Sequence, residues 1–215
     1  MIIPSLKDYV YEYISGELQS GGLKSNDKIN EQAICDTLNI SRTPVREALI
    51  QLAADDLLEA SPRRGFRVKS LTKKDAEDLY TIIGTLDALA AELSINYLTP
   101  KELDKMEQIC HDIDQSIESL NFTKYYQLQK EFHDVYILKT KNEALFDTLN
   151  RLRNRFIRQN YINGAEEELK KVLLETNKEH KEIVELFRAK NINKLKDIIK
   201  QKHWSLTYAE LDSLD

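Results

Sequence analysis

The chain has 215 residues, with 31 Lys+Arg against 36 Asp+Glu and a formal net charge of -5. An acidic balance excludes nucleic-acid binding by bulk charge and leaves room only for a local basic patch. At 41% hydrophobic residues with 6 Gly and 4 Pro, the chain reads as a helix-rich globular protein of one large or two small domains. No apolar run reaches the roughly 18 residues of a membrane span, and MIIPSLKDYVYEYI is too polar for a leader, so no membrane partner is expected. Cys35 and Cys110 lie far apart and form no C-x-x-C. Two separate thiols point to a reducing cytoplasm.

In chain order, Leu6, Tyr9, Val10, Tyr13, Ile14 and Leu18 predict a helix over 5–20, ended by Gly21-Gly22. A short helix over 30–38 turns Ala33, Ile34 and Leu38 inward. After the turn NIS, Thr43 is the expected N-cap of a third helix, with Pro44 at its first position and Val45, Ala48, Leu49 and Leu52 on its buried face. Residues 57–60 and 65–68 flank SPRR and predict two short strands around a turn.

This order is that of a winged helix-turn-helix, in which a short turn lets the second helix of the pair enter the major groove. The exposed side of that helix offers Ser41, Arg42, Thr43, Arg46 and Gln51, and the hairpin tip offers Arg63 and Arg64. Arg42 and Arg46 share a face, from which guanidinium groups reach guanine edges or phosphates. Residues 41–70 hold 6 basic and 4 acidic side chains, a mild local excess only.

From 73 onward the character changes to long helical periods without a strand pattern. Leu79, Ile82, Ile83, Leu86, Leu89, Ala90 and Leu93 form one stripe, and Leu103, Met106, Ile109, Ile113 and Ile117 form another. Further helices are expected over 122–139, 143–161, 165–189 and 192–210, with breaks at Thr99-Pro100 and Asn163-Gly164. The fold class is therefore mainly α. A winged helix-turn-helix domain over 1–72 precedes an all-helical domain over 73–215.

The core SRTPVREAL at 41–49 and the wing PRRGFRV at 62–68 resemble the DNA-binding domain of the GntR family of bacterial transcription regulators. LDALAAEL at 86–93, FHDVYILKTKNEALF at 132–146 and EHKEIVELFRAKN at 179–191 resemble the FCD effector domain of one GntR branch. The resemblance implies a homodimer on a palindromic double-stranded operator, acting as a repressor released by a small organic acid. It places DNA contacts at Arg42, Arg46 and around Gly65.

The resemblance further implies a divalent metal, such as zinc, nickel or manganese, held by three histidines and one aspartate. His133 and His180 stand at the first two histidine positions. The aspartate position is Gln129, and the third histidine comes one residue late. In a regular helix Lys202 falls at the ligand position and His203 lies about 100° round, unless a local bulge restores it. An arginine that binds an effector carboxylate in such domains is replaced by Ile83, four residues before Asp87. The expected pocket comprises Asp87, Gln129, His133, Arg155, His180 and His203, with His133, His180 and His203 as metal ligands. Arg155 enters as one of the cations of RLRNRFIRQ that share a helical face, Arg151, Arg155 and Arg158. His111 reads as solvated. Alternatives are a metal-responsive regulator and, less favoured, a metal-dependent enzyme. No H-E-x-x-H, P-loop, G-x-G-x-x-G or G-x-S-x-G occurs to support an enzyme.

Overall fold

The structure is a computed structural model that describes residues 5–19, 22–156 and 166–209. It divides into two compact units. One holds the described residues up to Thr72 together with Asn154, Arg155 and Phe156. The other holds those from Lys73 to Arg153 and from 166 to 209.

In the first unit α1 (Leu6–Gln19), α2 (Glu31–Leu38) and α3 (Arg42–Ala54) precede β1 (Leu58–Ser61) and β2 (Gly65–Val68). Val10, Ile14 and Leu18 of α1 meet Val45, Ala48, Leu49 and Leu52 of α3 in a core closed by Leu58, Phe66 and Val68 of the hairpin. The helix α3 begins earlier than its sequence suggests. Ser41, not Thr43, is the N-cap, and Pro44 still lies in the first turn, where a missing N–H costs nothing. Asn30 caps α2 by accepting from the Ala33 N–H at 3.1 Å, a contact worth about 1 kcal/mol. The strands β1 and β2 pair antiparallel, Leu58 opposite Val68 and Ser61 opposite Gly65. The turn between them needs positive φ at Arg63 (63°) and at Gly65 (81°), the latter a value that glycine adopts without strain. Backbone bonds from Ile29 to Phe66 and from Asn26 to Val68 stitch the wing to the loop before α2.

In the second unit α4 (Lys73–Ser94), α5 (Pro100–Glu118), α6 (Phe122–Ile137), α7 (Glu143–Asn154) and α8 (Glu166–Arg188) are long helices. The helix α5 packs on α6 and α8, and α4 packs on α6. The stripe read along α4 is two faces in fact. Leu79, Ile83 and Ala90 are buried, whereas Ile82, Leu89 and Leu93 are 48%, 40% and 41% exposed. The single helix expected over 192–210 is broken. It runs as α9 (Ile192–Asp197), then a π-helical turn (Ile198–His203), then α10 (Leu206–Ala209). The Trp204 N–H reaches back to the Ile199 carbonyl at 3.0 Å, the i to i−5 bond that defines a π turn. The expected break at Asn163-Gly164 lies outside the described residues.

Gly84 marks where α4 and the π turn touch. A Cβ there would stand 2.8 Å from Trp204 Cβ and 3.6 Å from the Lys200 carbonyl oxygen. In an open helix Gly→Ala stabilises by about 1 kcal/mol. Here Gly84→Ala is expected to destabilise by about 1–3 kcal/mol through overpacking, seen as a lower midpoint in thermal or urea unfolding.

Candidate metal centre and nucleic-acid interface

The second unit brings His133 of α6, His180 of α8 and His203 of the π turn together. One ring nitrogen from each lies within 4.8 Å of the others. All three residues are buried, at 3%, 0% and 6% exposure. The π turn supplies the third ring: one extra residue in the coil turns His203 inward and leaves Lys202 exposed, paired with Glu182 at 3.0 Å.

The hydrogen bonds decide which nitrogen each ring offers. The Tyr136 hydroxyl donates to Asp87 Oδ1 at 2.6 Å. Its oxygen must therefore accept from His133 Nδ1, 2.7 Å away, which also faces Asp87 Oδ2 at 3.0 Å. Asn177 Nδ2 donates to the Cys110 carbonyl at 2.8 Å and to Asp114 at 2.6 Å. Its Oδ1 is thus the acceptor that His180 Nδ1 meets at 3.2 Å. His203 Nδ1 faces Glu179 Oε2 at 3.2 Å. All three rings carry their proton on Nδ1 and turn a bare Nε2 to the centre.

Two of these bare nitrogens, of His133 and His203, face each other at 3.2 Å. The third, His180 Nε2, is buried without a partner. Lone pairs so placed repel unless a proton or a metal cation lies between them. Imidazoles around a tetrahedral zinc, at about 2.0–2.1 Å each, stand roughly 3.3 Å apart. The donor set therefore fits a borderline divalent ion. Burial holds His133 below its ordinary pKa and His180 well below it, which disfavours a second proton on either ring.

The carboxylates stand one layer behind the rings. Asp87 accepts from Tyr136, from His133 and from Trp204 Nε1 at 2.8 Å. Burial opposes its ionisation, but His133 and the other donors hold it below the usual carboxylate range. Glu179 bonds the Tyr208 hydroxyl at 2.9 Å through its other oxygen. Burial pushes the Cys110 thiol up to about 12, so it stays protonated and offers no thiolate.

Two expected pocket residues are placed differently. Arg155 lies past the end of α7, in the first unit, and pairs with Asp56 at 2.5 Å. Arg158 lies outside the described residues. Gln129 is half-buried and donates to the Tyr125 hydroxyl at 2.6 Å, one turn back on its own helix. Ile83 is fully buried and His111 is exposed. Sequence reasoning missed Asn177, Glu179, Trp204 and Tyr208. For Asn177 a signal existed, since it precedes His180 by three residues and shares its helical face.

In the first unit Ser41, Arg42, Thr43, Arg46 and Arg64 are all exposed. Arg42 donates to Gln32 Oε1 at 2.6 Å, which ties α3 to α2. Arg46 lines a cleft of about 490 Å³ between α3 and the wing, with Glu31, Arg63, Gly65 and Phe66. Arg67 is turned away, donating to the Asn26 carbonyl at 2.7 Å.

The comparisons agree with both units. Residues 6–68 match the family described as bacterial regulatory proteins, gntR family, and residues 78–202 match the FCD domain. The chain is 29% identical to the uncharacterized HTH-type transcriptional regulator YdhC of Bacillus subtilis (strain 168), over 84% of this chain and 80% of that one. It is 26% identical to the HTH-type transcriptional regulator McbR of Escherichia coli (strain K12), over 60% of this chain and 58% of that one. The solved structure of E. coli McbR/YncC has the same fold, with a TM-score of 0.81 at 21% identity, covering 97% of this chain and 99% of that one. A winged helix followed by a helical FCD domain places the chain in the gntR family of bacterial regulatory proteins, in the FCD branch, as a DNA-binding transcription regulator and not an enzyme.

Proposed function

We propose that the chain is a cytoplasmic repressor in which α3 reads a palindromic operator and the helical unit holds one divalent cation that a small organic acid engages. The observation that carries the reading is the convergence of three bare imidazole nitrogens, one of them buried without a partner. His133, His180 and His203 would hold the ion, and their neutral donor set favours zinc or nickel over manganese. When bound, the ion supplies a Lewis-acidic position for a carboxylate. Arg153 adds positive charge that acts on His133, and two of its guanidinium nitrogens are buried without a partner while the third pairs with Asp134 at 2.7 Å. Such a group favours an anion nearby. The effector must bind one dimer geometry better than the other to change operator affinity.

The homodimer follows the habit of the family, and the exposed row Ile82, Leu89 and Leu93 on α4 is a face that a second copy would cover. Arg42, Arg46 and Arg64, with Ser41, Thr43 and the Gly65 turn, are the proposed DNA contacts. The Arg46→Ala variant is expected to lose about 1–3 kcal/mol of operator affinity if the side chain reads a base, measured by fluorescence anisotropy at several salt concentrations on a duplex carrying both half-sites. Unchanged affinity would remove Arg46 from the interface.

A second reading, in which the cation itself is the signal, is favoured by the completeness of the triad. Elemental analysis and operator binding with and without added zinc separate the two. Stoichiometric zinc that survives dialysis and is lost in His180→Ala is the expected result for either. Operator affinity that changes with zinc alone selects the second.

The register offers a further check. Deleting the exposed Gln201 restores an α-helical path with histidine at the ligand position, so zinc binding is expected to persist. Inserting one alanine after Gln201 carries the ring about 100° further round and is expected to abolish it.

A further inference from the structure

We infer that Glu179 and Tyr208 act as a positioning pair for His203, which makes α10 a working part of the metal centre. The inference rests on the cation reading above. Glu179 is 2% exposed, a costly place for a carboxylate unless donors meet it. Its two oxygens face different elements: Oε2 stands 3.2 Å from His203 Nδ1, and Oε1 accepts from the Tyr208 hydroxyl at 2.9 Å. Glu179 precedes His180 on α8, so adjacent residues of one helix serve two different rings. One supplies a nitrogen, and the other sets the orientation of the ring opposite.

His203 needs such a partner more than the other two. His133 and His180 project from regular α-helices and are backed by residues three positions away on the same helix, Tyr136 and Asn177. His203 ends a π turn, where the coil is wider and its hydrogen bonding less regular. Its orientation comes from outside its own helix. The segment that follows is fastened at both ends to the carboxylate layer. Trp204 Nε1 donates to Asp87 at 2.8 Å, and Tyr208, one turn on, donates to Glu179. The Trp204 ring stacks edge-on against Tyr80 at 5.2 Å. Residues 204 and 208 thus hold the two buried carboxylates that aim His133 and His203.

The test uses the full chain and its single tryptophan. Zinc affinity is measured by competition with a chromophoric chelator, cobalt(II) is added for its visible spectrum, and Trp204 fluorescence is followed throughout. Outer partners of metal-bound histidines cost about 10–100-fold in affinity when removed, so Glu179→Ala is expected to weaken zinc by that factor and to change the cobalt spectrum. Glu179→Gln, which keeps an oxygen acceptor for the imidazole, is expected to recover most of the loss. Tyr208→Phe, a one-oxygen change on a half-buried ring, keeps the question open to test should the Glu179 variants fold poorly. It is expected to weaken zinc several-fold. Glu182→Ala, which removes an exposed partner of Lys202, is expected to change nothing. A parent that binds zinc beside Glu179→Ala and Tyr208→Phe of equal affinity overturns this inference and leaves the cation reading standing. A parent that binds neither zinc nor cobalt overturns both.

Discussion

A histidine buried in protein can present one bare nitrogen only if its other nitrogen is held by an acceptor that cannot itself give a proton. That condition organises the helical unit. Asp87 with Tyr136, Asn177 and Glu179 meet it for His133, His180 and His203 in turn. Each acceptor is itself constrained: Asp87 by Trp204, Asn177 by Cys110 and Asp114, Glu179 by Tyr208. Remove one acceptor and a ring is free to flip, which would turn an N–H toward the centre.

The same condition explains why the chain tolerates an irregular helix. In a regular register Lys202 would turn toward a buried nest of imidazoles. An ammonium so placed costs several kcal/mol. The π turn keeps that charge in water beside Glu182 and lets His203 reach Glu179. Gly84 permits it, because the widened coil brings Trp204 against the α4 backbone, where a methyl group has no room. A glycine in mid-helix and an extra residue in another helix are thus two halves of one adjustment.

Much of this was legible in the sequence, and the rest was hidden for physical reasons. The winged helix is written in short-range signals: the proline in the first turn of α3, the periodic apolar face and the turn residues of the wing. The lengths of α5, α6 and α8 follow from uninterrupted periodicity. What periodicity cannot register is a change of pitch, and so the path from Asp197 to Trp204 and the place of His203 were undecided between two registers. Arg155 was misplaced for a related reason. A basic row at helical spacing implies a shared face only while the helix continues, and α7 ends at Asn154. The stripe on α4 read as a single apolar stripe, though Ile82, Leu89 and Leu93 are exposed. Glu179 looked like one more charged residue on a long charged helix, since nothing local distinguishes a buried carboxylate from a solvated one.

The depth of the three imidazoles has a kinetic consequence. With every ring nearly free of solvent contact, an ion cannot be exchanged by a side chain swinging out. Exchange of an ion held there would need a local opening of the elements that carry the rings, and its rate would be set by the free energy of that opening. A cation bound there would persist through short fluctuations in supply. The regulator would then carry its metal as a long-lived fixture installed about once per molecule, while any faster signal arrives through whatever binds to the fixture.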